Sequence, residues 1–106
     1  MRFGGYTSIS WNASLNSYCG DGVNFLFSLD LVKYFKPFQN LIYSTNHYSN
    51  YGPTFGGNYD LYISDNCMNN NSSYTANGCT YQNNSNYELN GGTQYFKVLD
   101  YEVFQI

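Results

Sequence analysis

Val23-Asn24-Phe25-Leu26-Phe27-Ser28-Leu29 alternates with a period of two: Val23, Phe25, Phe27 and Leu29 fall on one face, Asn24, Leu26 and Ser28 on the other. A strand gathers such residues to one side, whereas a helix would spread them around its axis. Leu26 makes the second face partly apolar, so a central strand covered on both sides is expected here.

The same period extends outward. Phe3 to Trp11 places Phe, Gly, Thr, Ile and Trp on the odd positions, which predicts a half-buried strand. Asn12 to Gly22 ends in Gly20-Asp21-Gly22, which is loop chemistry. On the other side, Asp30 to Phe35 has room for one helical turn before Pro37 stops it, and Phe38 to Ser44 reads as a strand. Asn46 to Pro53 reads as a polar loop. Gly56-Gly57-Asn58 bends the chain into a strand from Tyr59 to Ile63, the glycines serving positive φ or close backbone approach. Residues 64–86, with eight Asn among 23 positions, predict an extended Asn-rich loop with one short strand around Cys79 to Gln82. Gln94 to Ile106 predicts a long last strand with a bulge at Leu99-Asp100. The expected fold is a mainly β, two-sheet antiparallel sandwich with few or no helices.

The chain has 106 residues, enough for one domain, and 10% charged against 21% aromatic side chains. Disordered chains are poor in aromatics, so this composition argues for a packed core. Lys and Arg number 4 against 7 Asp and Glu, a net charge of −3, which disfavours binding to nucleic acid. No apolar run approaches the ~18 residues of a membrane span, and no secretory h-region follows Met1, so a cytoplasmic location is expected. Cys19, Cys67 and Cys79 match no zinc spacing and are expected as reduced thiols. The glycosylation sequons at Asn12, Asn70, Asn71 and Asn83 are what an Asn- and Ser-rich chain produces by accident.

A search for reaction chemistry yields no catalytic residues, no metal ligands and no cofactor site. His47, the single histidine, lies in a polar stretch without an adjacent acid or nucleophile and reads as a surface residue. Asp100 and Glu102, two apart on one expected strand, read as facing water or a neighbouring loop. Gly20-Asp21-Gly22 lacks the Lys-Ser/Thr of a phosphate loop. The thirteen tyrosines read mainly as core, although Tyr rings can also stack on sugars.

The order of motifs resembles the TLDc domain: Phe3-Gly4-Gly5-Tyr6 leading to Trp11, Gly20-Asp21-Gly22 before Phe25 to Leu29, Phe55-Gly56-Gly57 before Asp60-Leu61-Tyr62-Ile63, Thr80-Tyr81, and Leu89, Phe96 and Asp100 to Phe104. The resemblance spans residues 1–106 and implies the C-terminal portion of such a domain, incomplete at its N-terminus and part of a longer polypeptide. It further implies a non-catalytic protein-interaction module linked to oxidative-stress protection and to binding the vacuolar-type proton-pumping ATPase. Gly20, Asp21, Gly22, Gly56, Gly57 and Glu102 are the candidate partner contacts. Two alternatives stand beside it: a thiol-dependent antioxidant enzyme using Cys19, Cys67 or Cys79, and a Tyr-lined carbohydrate-binding module.

Overall fold

A computed structural model describes residues 1–8, 17–20, 23–37, 43–47, 51–57, 59–76, 80–81 and 87–103. Among these residues nine short strands form two antiparallel sheets. The first sheet has the order β1-β3-β4, from β1 (Phe3–Tyr6), β3 (Phe25–Ser28) and β4 (Lys33–Phe35). The second has the order β2-β5-β6-β7-β8-β9, from β2 (Ser17–Cys19), β5 (Thr45–His47), β6 (Tyr51–Phe55), β7 (Leu61–Ser64), β8 (Ser73–Thr75) and β9 (Tyr95–Phe96). Single 3-10 turns lie at Cys67–Asn69 and Glu88–Asn90, and among the described residues no helix is long and apolar enough to cross a membrane.

The core is two cross-strand pairs from the two sheets. Leu26 pairs with Phe35 in the first sheet and Phe55 with Leu61 in the second; all four are buried, with Tyr81 and Leu89 completing the cluster. Phe3 of β1 meets Phe96 of β9 edge to face, ring centroids 5.1 Å apart, which ties a rim strand of one sheet to a rim strand of the other.

Glycine permits this approach. A Cβ on Gly5 would fall 2.5 Å from the Phe55 ring, so β1 lies flat against β6 only because residue 5 has no side chain. Gly4 is opposite Phe27 in the ladder, and the Phe27 ring occupies the space a Gly4 side chain would fill.

Register divides the second sheet into two rows. Cys19, Thr45, Phe55, Leu61 and Thr75 are successive partners on the core face. Tyr18, Asn46, Thr54, Tyr62, Tyr74 and Tyr95 are successive partners on the opposite face, where Asn46 and Thr54 are also fully buried. There Tyr62 and Tyr74 are 5.2 Å apart and Tyr74 and Tyr95 5.7 Å, a cross-strand aromatic ladder extended by Tyr59.

Several expectations change. β3 is central, as its alternation predicts, but the buried face is Asn24, Leu26 and Ser28, while Val23 and Leu29 are exposed. Asp30 to Phe35 forms a four-residue hairpin loop, Leu29 to Val32, and then a strand rather than a helical turn, because pairing with β3 outweighs one isolated turn. The polar stretches before Gly20 and around His47 contribute β2, β5 and the start of β6. The Asn-rich segment holds a strand at Ser73–Thr75; of the short strand expected around Cys79 to Gln82, Tyr81 forms an antiparallel bridge, and Cys79 and Gln82 lie outside the described residues. The last strand ends at Phe96, and 97–103 continue without a ladder. The expected strand ends at Trp11 and Ile106, and most of the one from Phe38 to Ser44, lie outside the described residues.

Candidate functional site

Gly56 and Gly57 follow β6 and turn the chain towards β7. Gly56 has φ +95°, and a Cβ there would fall 2.2 Å from Oδ1 of Asp60, so only glycine fits the turn. The Gly56 amide donates to the Ser44 carbonyl (3.0 Å), and Tyr59 N donates to the Gly56 carbonyl (3.1 Å).

This turn aims Asp60 inward. Its carboxylate is fully buried and accepts hydrogen bonds from the amides of Thr80 (3.2 Å to Oδ2) and Tyr81 (2.9 Å to Oδ2). The Tyr81 hydroxyl donates to the Ser44 carbonyl at 2.5 Å, and the Gly57 amide donates to Thr80 Oγ1 at 2.9 Å. On its other side Tyr81 forms an antiparallel bridge with Pro37, just beyond β4. Thr80-Tyr81 is thus a strap: the first sheet holds it through Pro37, the second through Asp60, Gly57 and Ser44. Burial foremost, and then the Asp60 charge, push the Tyr81 phenol well above its ordinary value, against the pull of its bond to Ser44.

Gly20 joins the same end of the second sheet. It follows Cys19, whose partner is Thr45, whose partner in turn is Phe55, just before Gly56. Tyr18 closes the gap with a hydroxyl bond to the Gly57 carbonyl at 3.3 Å. Asp21 and Gly22 lie outside the described residues. Glu102 is exposed in the stretch after β9 and belongs to no part of this strap. Asp100, also exposed, accepts from the amide of Tyr101. Gly56 is buried and Gly57 half-buried, so of the described candidates Glu102 alone presents a full side chain to solvent.

His47 is not on the surface: it is fully buried in β5. Pairing with Ser17 of β2 draws this polar segment into the sheet, where Thr45 lies on the same side. Thr45 Oγ1 gives its one hydrogen to the Cys19 carbonyl (2.8 Å), so the 2.9 Å contact with His47 Nε2 requires the ring nitrogen to donate. The composition gave no sign of this, since a Thr-Asn-His tripeptide carries no apolar alternation. Among the described residues no cluster of three or more His, Cys, Asp or Glu is arranged to hold a metal ion.

Two ion pairs fasten the first sheet. Arg2 grips Asp30 through its backbone amide and guanidinium, the latter at 3.0 Å, and the backbone bond foremost holds the Asp30 carboxyl below its usual range. Lys33 of β4 meets Glu88 at 2.7 Å.

The motif pieces quoted from the sequence therefore meet in space: Gly56-Gly57 and Asp60 hold Thr80-Tyr81, and Phe3-Gly4-Gly5-Tyr6 packs on Phe55. In keeping with this, the family model described as the TLDc domain matches residues 1–106. No curated protein and no solved structure matches the chain.

Proposed function

This chain belongs to the TLDc domain family, and on that footing we propose that it is a non-catalytic interaction module that docks on or regulates a vacuolar-type proton-pumping ATPase in the cytoplasm and serves oxidative-stress protection. The observation that carries the non-catalytic reading is where the polar groups go. The Asp60 carboxylate is engaged by the Thr80 and Tyr81 amides and His47 by Thr45 within β5, so both groups serve the buried frame, Asp60 by holding the strap to the second sheet. An interaction module requires only a rigid frame and an accessible surface, and these residues supply the frame.

Affinity purification of the native protein, read by mass spectrometry, tests the partner. Pump subunits recovered with the wild type and lost with Glu102→Lys, at an unchanged melting temperature, would support docking through the exposed tail. Failure to recover any pump subunit would remove the reading. Gly56→Asp serves as the fold control, since it drives a second carboxylate into Asp60.

The thiol alternative rests on Cys19, half-buried, and Cys67, buried; Cys79 lies outside the described residues. Peroxide consumption that disappears when all three are changed to Ser would favour it over the docking module. The tyrosine ladder counts less for a sugar platform than the composition suggests, because Tyr59, Tyr62 and Tyr74 pack on one another.

A further inference from the structure

The hairpin loop between β3 and β4 carries aliphatic side chains outward. Leu29 is 58% exposed, Leu31 44% and Val32 89%, and Tyr34, the second residue of β4, is 67% exposed. Loops of this kind are ordinarily polar, with Gly or Asn wherever φ is positive. Val32 is a β-branched residue at φ +53°, a conformation in which it is a genuine outlier. Strain of this kind at a fully exposed apolar side chain points to a use for that side chain rather than to folding.

The loop is rigidly mounted. The Leu29 amide donates to the Arg2 carbonyl (2.8 Å), the Leu31 amide to Ser28 Oγ (3.1 Å), and Asp30 is clamped by Arg2. The aliphatics therefore stand at the end of a fixed, convex finger.

Charge is distributed unevenly around it. Of the chain's four cations, Arg2, Lys33 and Lys36 sit on or beside this hairpin, against Asp30 and the Glu88 that pairs with Lys33. The rest of the chain has Lys97 alone against Asp21, Asp60, Asp65, Asp100 and Glu102. The other exposed apolar stretch, Leu99 to Val103, alternates with Asp100 and Glu102 and so carries the opposite sign.

We propose that the β3–β4 hairpin tip, Leu29 to Val32 with Tyr34 and Lys36, is a membrane-surface contact that enters the headgroup region of an anionic bilayer. A convex aliphatic tip suits a lipid interface, which closes around it, better than a protein partner, which would have to supply a matching cavity. Tyr34 and Lys36 follow the tip along one face of β4, the Tyr34 ring packed edge-on against Phe25, and would extend the contact with an amphipathic ring and a cation as the hairpin lies against the surface. This inference is independent of the pump reading, which concerns a protein partner.

Flotation of the full chain with phosphatidylcholine vesicles, with and without phosphatidylserine, tests it. The wild type is expected to float with the phosphatidylserine vesicles and to be released as salt is raised. Val32→Asp should weaken recovery by roughly tenfold, and Lys36→Glu by severalfold. Asp tolerates positive φ better than Val, so the first variant keeps the fold, which circular dichroism checks. No flotation of the wild type, or equal flotation of wild type and Val32→Asp, would overturn the proposal. So would a Val32→Asp chain that still floats but no longer recovers pump subunits, since the tip would then be a protein contact.

Discussion

A single methyl group measures how closely the two sheets approach. Gly5→Ala places a carbon 2.5 Å from the Phe55 ring, flanked by a ladder that cannot retreat, and should cost about 1–3 kcal/mol. Gly57→Ala meets Tyr43 at 3.3 Å and should cost far less. Urea midpoints of the two variants separate the cases. At Val32 the sign reverses: Val32→Asn relieves a β-branched residue at φ +53° and should stabilise by about 1 kcal/mol, seen as a raised melting temperature. Asp30 gives an acid-side prediction. Its folded carboxyl lies below the ordinary 3.8, so its contribution is fully present above that value and is lost as the pH falls through the lowered one. Stability curves of wild type and Asp30→Asn should therefore converge on acidification. The pair is solvent-exposed, and the gap between the curves should be small and shrink with salt.

At the scale of elements, the strap Thr80-Tyr81 bears the greatest mechanical responsibility. Asp60→Asn leaves one carbonyl oxygen and a misplaced NH2 facing two amide donors, and should destabilise by about 2 kcal/mol or more, readable by chemical denaturation. Tyr81 supplies the alkaline counterpart. Its phenol is raised above the ordinary 10.0, so the folded state keeps a proton that the unfolded chain surrenders. Stability should fall as the pH climbs beyond about 10, and Tyr81→Phe should flatten that limb. Much of the strand layout was legible because alternation is a local signal: Val23 to Leu29 contains the whole of β3, and Tyr59 to Ile63 most of β7. The partners were not legible. Which face of β3 is buried depends on Phe35 and Phe55 arriving from elsewhere, and β2, β5 and β8 are too polar to show a period. The tail illustrates the reverse case, since Leu99, Tyr101 and Val103 alternate as a strand should and yet find no ladder among the described residues. At the candidate site, glycine spacing drew notice to Gly56 and Gly57, but nothing local revealed that Asp60 reaches twenty residues ahead to hold Thr80.

For the whole molecule, the decisive feature is the order in which the chain visits its sheets. β1 belongs to the first, β2 to the second, β3 and β4 to the first again, and everything later to the second. β5 to β8 is a meander of neighbouring hairpins and needs only short loops to close, whereas β2 must cross 25 residues to reach β5, and β1 must reach over β2 to find β3. Assembly should therefore begin in the β6–β7 hairpin and finish with β1. Leu61→Ala would slow refolding while Phe3→Ala would chiefly hasten unfolding, a contrast that stopped-flow fluorescence can measure. Because the chain leaves the first sheet for β2 and returns for β3, no single cut separates the two sheets: every cut parts β1 from β3, β2 from β5 or a hairpin of the meander, and leaves fragments that each lack a partner.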